Sequence, residues 1–183
     1  MRVILGLGNP GVEYTNTRHN AGVIFVDYLS TKLNSPYGWR REKNKMIFKS
    51  DKFILIKTAD TFMNESGNLI ANSPYHIADF CLAHDDLDIK LGEYKIQTGI
   101  GPKLHNGIES VERTLGNTNF ERIRIGIDNR AQGTGDPARS ASSTAGAGGR
   151  IQGEEYVLQK FSAEERETLE RVFEEICSHL EIF

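Results

Sequence analysis

The sequence predicts an α/β domain with one central mixed, twisted sheet flanked by helices. Three observations carry this. Short apolar runs of strand length alternate with amphipathic stretches of helix length. The 183 residues, 38% of them apolar, suit one compact domain, since a chain of this size buries roughly 70% of its unfolded surface. No internal repeat interrupts the alternation.

In chain order, Val3 to Leu5 is a short buried strand. Residues 21–34 place Gly22, Phe25, Val26, Leu29 and Leu33 at helical spacing, which predicts a helix, and Asn20 stands where its N-cap belongs. Met46–Phe48 and Phe53–Lys57, separated by Lys49-Ser50-Asp51, predict a hairpin. Residues 65–73 suggest a helix ended by Ser73-Pro74. Phe80–Ala83 is a strand followed by a polar loop, HDDLD; Tyr94–Gln97 is a further strand, 107–115 a helix, and Arg122–Ile127 a strand. Residues 131–153, rich in Gly, Ala and Ser, read as a flexible surface loop in an otherwise single 1–183 domain. In the final helix Ser162 and Glu165 form a capping box, and Leu169, Val172, Phe173, Ile176, Cys177 and Leu180 make one apolar face.

Composition narrows the classes. No run reaches the ~20 apolar residues that span a bilayer, and no secretory signal opens the chain, so a cytoplasmic protein is expected. Cys81 and Cys177 lack metal-type spacing and read as reduced core thiols. The net charge of −3 hides an asymmetry: residues 154–183 carry nine acidic and three basic side chains, leaving 19 basic against 16 acidic in 1–153. Arg40, Arg41, Lys43, Lys45, Lys49 and Lys52 cluster within that part. Such a cluster can attract phosphates, but the plainer reading is a solvated hairpin.

After the first strand, Gly6, Gly8 and Gly11 fit G-x-G-x-x-G. A dinucleotide site also needs a helix beginning within the motif and an acidic residue about 20 positions on. Gly11 is followed by the polar VEYTNTRHN, and Leu29–Asn34 holds no carboxylate. The glycines therefore serve a tight turn that carries Asn9 to the strand's end, stiffened by Pro10.

Polar side chains then collect at loop positions after strands: Asn9, His19, Asn64, Asp85 and Asn106. Open α/β sheets build their sites there. His19, just before a helix N-terminus, is expected to stay neutral under the helix dipole and to serve as a general base. Asp85 can fix its tautomer. Ser66 does not sit in a nucleophile elbow, so the base would activate water. Asparagine amides can hold an oxyanion and pair with a peptide backbone. His84 and His105 make no recognisable ligand set. The expectation is a hydrolase without metal or cofactor, acting on a substrate of peptide character.

GLGNPGVEYTNTRHNAG, TFMNESG, AHDDLD, HNG with its helix, NFERIRIGI and YVLQKF, in this order, resemble the bacterial-type peptidyl-tRNA hydrolase family. The resemblance implies a monomeric α/β enzyme that cleaves the ester between peptide and tRNA. It places the catalytic histidine at His19, its aspartate at Asp85, and positioning asparagines at Asn9, Asn64 and Asn106. Tyr14 falls beside the tRNA end and Met63 among the substrate contacts. Arg124 matches the arginine that holds the tRNA 5′-phosphate. Gln97 stands where the family has a lysine, so Lys95, on the same strand face, or Lys103 would substitute. Lys103 and Leu104 replace usual glycines, and Ala59 and Asp60 also depart from the pattern. The alternative is a catalytically silent RNA-binding relative, which would have little reason to keep His19 with Asp85.

Overall fold

The computed structural model describes residues 1–102, 104–130 and 148–182. Lys103 and residues 131–147, most of the expected loop, lie outside them. The elements are β1 (Arg2–Gly6), α1 (Ala21–Lys32), β2 (Trp39–Glu42), β3 (Lys45–Lys49), β4 (Phe53–Thr58), β5 (Phe80–Lys90), β6 (Tyr94–Thr98), α2 (Asn106–Leu115), β7 (Glu121–Asp128), α3 (Gly148–Val157) and α4 (Ala163–His179). One mixed sheet has the order β2-β3-β4-β1-β5-β7-β6. Its centre, β4-β1-β5-β7, is parallel, and β2, β3 and β6 add antiparallel edges.

Alternation along the strands divides the core. Ile4, Leu55, Cys81, Ile123 and Ile125 face α1 and α4, with Phe25, Leu29, Val172, Phe173 and Ile176. Val3, Leu5, Ile54, Ile56 and Leu82 face the other layer, with Met63, Leu69, Ile108 and Val111. Both cysteines are free and buried, and burial pushes Cys81 up to about 12 and Cys177 up to about 11. Among the described residues, no helix is long and apolar enough to cross a membrane.

Three elements depart from the sequence reading. β5 does not end at Ala83 but runs to Lys90, with an irregularity between Asp86 and Lys90. Pairing with β7 continues through His84, Asp85 and Asp86; histidines meet the Asp85 carboxylate and Arg124 that of Asp86, while the buried His84 Nε2 has no hydrogen-bond partner among the described residues. Residues Met63–Leu69 form a 3-10 helix rather than the expected α-helix over 65–73. Gly67 lies against α2 so closely that a Cβ would meet the Ser110 carbonyl oxygen at 2.4 Å. Finally, Gly148–Val157 is helical where the end of a loop was expected.

The basic cluster is a hairpin with local partners. Arg41 bonds Asp60 at 2.8 Å, Lys45 bonds the Leu69 carbonyl at 2.9 Å, and Arg40 stacks over Tyr37 at 4.1 Å.

The opening glycines serve close packing. A Cβ on Gly6 would meet the Gly22 carbonyl oxygen at 2.4 Å, and one on Gly22 would meet the Ala83 carbonyl oxygen at 2.2 Å. That oxygen accepts from Leu7 N at 2.9 Å, so α1 rests on the crossing of β1 and β5. Gly11 (φ +104) makes the turn. Gly22→Ala is expected to lower stability by about 3 kcal/mol through this forced overlap, read as an earlier midpoint in urea unfolding; an unchanged midpoint would mean that the helix shifts freely.

Candidate active site

β1 and β5 pair from Val3↔Phe80 to Gly6↔Ala83. β1 then turns away while β5 continues. A crevice is left at the carboxyl end of β1, where the strand order reverses, the usual place for a site in a parallel sheet. Asp85 lies in it, two residues past the last β1 pair and 2% exposed.

A 3-10 turn, Arg18–Asn20, brings His19 to this carboxylate. His19 Nδ1 is 3.0 and 3.1 Å from the two Asp85 oxygens. His105, before α2, approaches from the other side, with Nε2 3.0 Å from Oδ1. Hydrogen bonding assigns the tautomers. His105 Nδ1 accepts from the Ile108 N–H at 3.4 Å, capping α2, so its proton is on Nε2 and is donated to Asp85. His84 Nδ1 donates to the Asp85 carbonyl at 2.7 Å. The Nδ1–H of His19 likewise donates to Asp85, which leaves Nε2 as its basic nitrogen.

Burial opposes charge on His19, but the charge and hydrogen bond of Asp85 outweigh it and hold its pKa above the ordinary 6.5. This reverses the expected direction: a carboxylate in contact is stronger than the helix dipole. Burial would raise the Asp85 pKa, yet the two histidines hold it well below the usual carboxylate range. Burial, then the neighbouring His105, push His84 down to about 3.

Asn9 is fixed by a residue read only as a helix cap. Asn20 makes no cap hydrogen bond. Its Oδ1 accepts from Asn9 N at 2.8 Å and its Nδ2 donates to Asn9 O at 3.0 Å. Asn9 Oδ1 accepts from Met63 N at 2.8 Å, which turns Nδ2 outward as the free donor. Asn64 follows Met63 and is exposed. Tyr14 meets the half-exposed Phe62 edge-on at 6.4 Å.

His19, Asp85, His105 and Asn106 line one cavity of about 300 Å³. The sequence offered no reason to join His105 to Asp85; only its place before an N-capped helix marks it. The ligand atoms of His19, Asp85 and His105 lie within 4.8 Å of one another. A metal there would have to displace both N–H protons that now bind the carboxylate.

The expected phosphate contact is rearranged. Arg124 is 7% exposed; its Nε donates to Asp86 at 2.8 Å and its Nη1 to Gln97 at 2.8 Å. Nε and Nη1 are thus held inside the protein, and Nη2 takes part in neither bond. Lys95 pairs with Arg124 in register and is exposed. Lys103 is outside the described residues.

Behind the 3-10 turn, Arg18 Nη2 donates to Glu165 of α4 at 2.9 and 3.0 Å. Glu165 also accepts from Asn129 at 3.0 Å and from Ser162 N at 2.8 Å in the capping box. Arg18 N bonds the Gln159 carbonyl at 2.9 Å.

The sequence profile of the peptidyl-tRNA hydrolase family matches residues 3–183. A peptidyl-tRNA hydrolase of Rickettsia africae is 35% identical over an alignment of 187 positions, covering 98% of this chain and 91% of the relative. One of Mycobacterium ulcerans is 31% identical, covering 98% and 89%. The crystal structure of peptidyl-tRNA hydrolase from Acinetobacter baumannii superposes with a TM-score of 0.68 at 29% identity, covering 95% of this chain and 83% of that one.

Histidine NMR tests the hydrogen-bond assignment. The expected result is that His19 titrates above pH 6.5 and that Asp85→Asn moves its midpoint down. His84 is expected to stay neutral until pH falls to about 3, so its contribution to stability, full above pH 6.5, is lost between there and about 3. A His84 midpoint near 6.5 would contradict its buried, neutral assignment.

Proposed function

The chain belongs to the peptidyl-tRNA hydrolase family, and we propose that it carries out this hydrolysis by general-base attack of water, with His19 as the base. It is an enzyme acting on peptidyl-tRNA. The observation that carries the mechanism is the buried Asp85 carboxylate held between His19 Nδ1 and His105 Nε2.

In this reading His19 Nε2 takes a proton from water as the hydroxyl adds to the ester carbonyl. Asp85 keeps Nδ1 protonated and stabilises the imidazolium that forms. The Nδ2 of Asn9 donates to the developing oxyanion; its position is held by Met63 N and its backbone by Asn20. Asn64 and Asn106 pair with the peptide. The tetrahedral intermediate expels the ribose oxygen, which takes the proton back from His19. An alkoxide is a far better leaving group than the nitrogen anion an amide would have to expel, so one histidine suffices. The mechanism uses no metal or cofactor, and the enzyme acts as a cytoplasmic monomer.

The tRNA end lies on the Tyr14–Phe62 side. Arg124, whose Nη2 lies outside its bonds to Asp86 and Gln97, and the exposed Lys95 supply the phosphate contact, joined by Lys103. Lys95→Ala is expected to raise KM for a full tRNA substrate severalfold with little change in kcat; a change in kcat alone would remove Lys95 from this role.

The decisive assay is release of N-acetyl-aminoacyl groups from tRNA, with and without EDTA. His19→Ala is expected to reduce kcat by about two or more orders of magnitude and Asp85→Asn by a comparable factor. EDTA should leave the native rate unchanged. Because His19 acts as a neutral base with a raised pKa, kcat rises with pH through a midpoint above 6.5, and the remaining activity of Asp85→Asn has its midpoint lower. tRNA binding without release would instead support the silent RNA-binding relative.

A further inference from the structure

The cavity beside His19 has a wall that the chemistry above does not use. Leu87, Pro102, Leu104 and Val157 form an aliphatic side, and Glu109 and Glu154 border it. Leu104 is 65% exposed, on the loop that leads to His105 and Asn106. Leu104 is not alone: with Leu87, Pro102 and Val157 it forms an apolar wall beside a few polar groups, the composition of a ligand pocket.

We propose that this cavity receives the side chain of the amino acid esterified to the tRNA, that it favours bulky aliphatic and aromatic side chains, and that Leu104 is the specificity-determining residue. The proposal rests on the reading of His19 as the base at that ester.

An ester held at His19 has two arms, the terminal nucleoside and the acyl residue. Bases seek aromatic faces for stacking. The aromatic pair at this site is Tyr14 and Phe62, and neither lines the cavity. One side of the cavity is aliphatic, and Glu109 lines it with a carboxylate that repels phosphate. The nucleoside arm therefore fits the Tyr14–Phe62 side and the acyl arm fits the cavity. A volume of about 300 Å³ admits a leucine or phenylalanine side chain with room for its neighbours. An aspartate there would meet apolar carbon and a like charge, while a glycine would leave Leu104 uncovered.

The test uses one tRNA transcript charged in turn with N-acetyl-Gly, N-acetyl-Asp, N-acetyl-Leu and N-acetyl-Phe. Since a few buried carbons change kcat/KM by tenfold or more, the native enzyme is expected to prefer Leu and Phe over Gly and Asp by at least about tenfold. Leu104→Ala and the size-conserving Leu104→Gln are expected to narrow the Leu-to-Gly ratio to about threefold or less. Equal kcat/KM across the four substrates overturns the proposal. So does a fall by one common factor in both variants, which would mean that the loop matters only for folding or for tRNA. Release from none of the four overturns the general-base reading, and this one with it.

Discussion

A carboxylate inside a protein stays ionised only if donors surround it, and the site is arranged around one such group. Asp85 sits in the body of a strand, not on a loop. Desolvation would drive it to take a proton. Two imidazole N–H groups from separate segments prevent this, and each segment is thereby located. The turn carrying His19 is drawn against β5, and the start of α2 is drawn in by His105, which places Asn106 at the cavity. Removing the charge would release both sides at once.

A second constraint is how closely α1 approaches the sheet. Backbone meets backbone at Gly6, Gly22 and Ala83. That contact puts Asn20 beside the end of β1, where its amide clamps both polar atoms of the Asn9 backbone. Gly8 leaves space for the Asn20 side chain, since a Cβ there would stand 2.9 Å from its amide carbon. The glycine motif thus serves an asparagine pair, not a phosphate.

Local pattern made much of this legible. Periodicity marked β1, α1, the β3–β4 hairpin, β6, β7, α2 and α4, and the Ser162–Glu165 box was readable from spacing alone. Asn9, His19, Asp85 and Asn106 stood out because polar residues followed apolar strands. What escaped depends on burial of polar groups, which periodicity cannot register. HDDLD reads as a loop because its partners, Arg124 and two histidines, are distant in sequence. Asn20 reads as a cap because its true partner is eleven residues back. Nothing local to Arg124 reveals its bonds to Asp86 and Gln97. α3 is hidden by Gly and a weak apolar stripe.

The salt link from Arg18 to Glu165 joins the residue next to His19 to α4. Both groups are buried, and Glu165 also closes the cap that starts that helix. The turn that carries His19 is thus braced by a residue 147 positions away along the chain. Without α4 in place the buried Arg18 guanidinium has no carboxylate to meet, so the turn that presents His19 is set only when two distant parts of the chain have folded together.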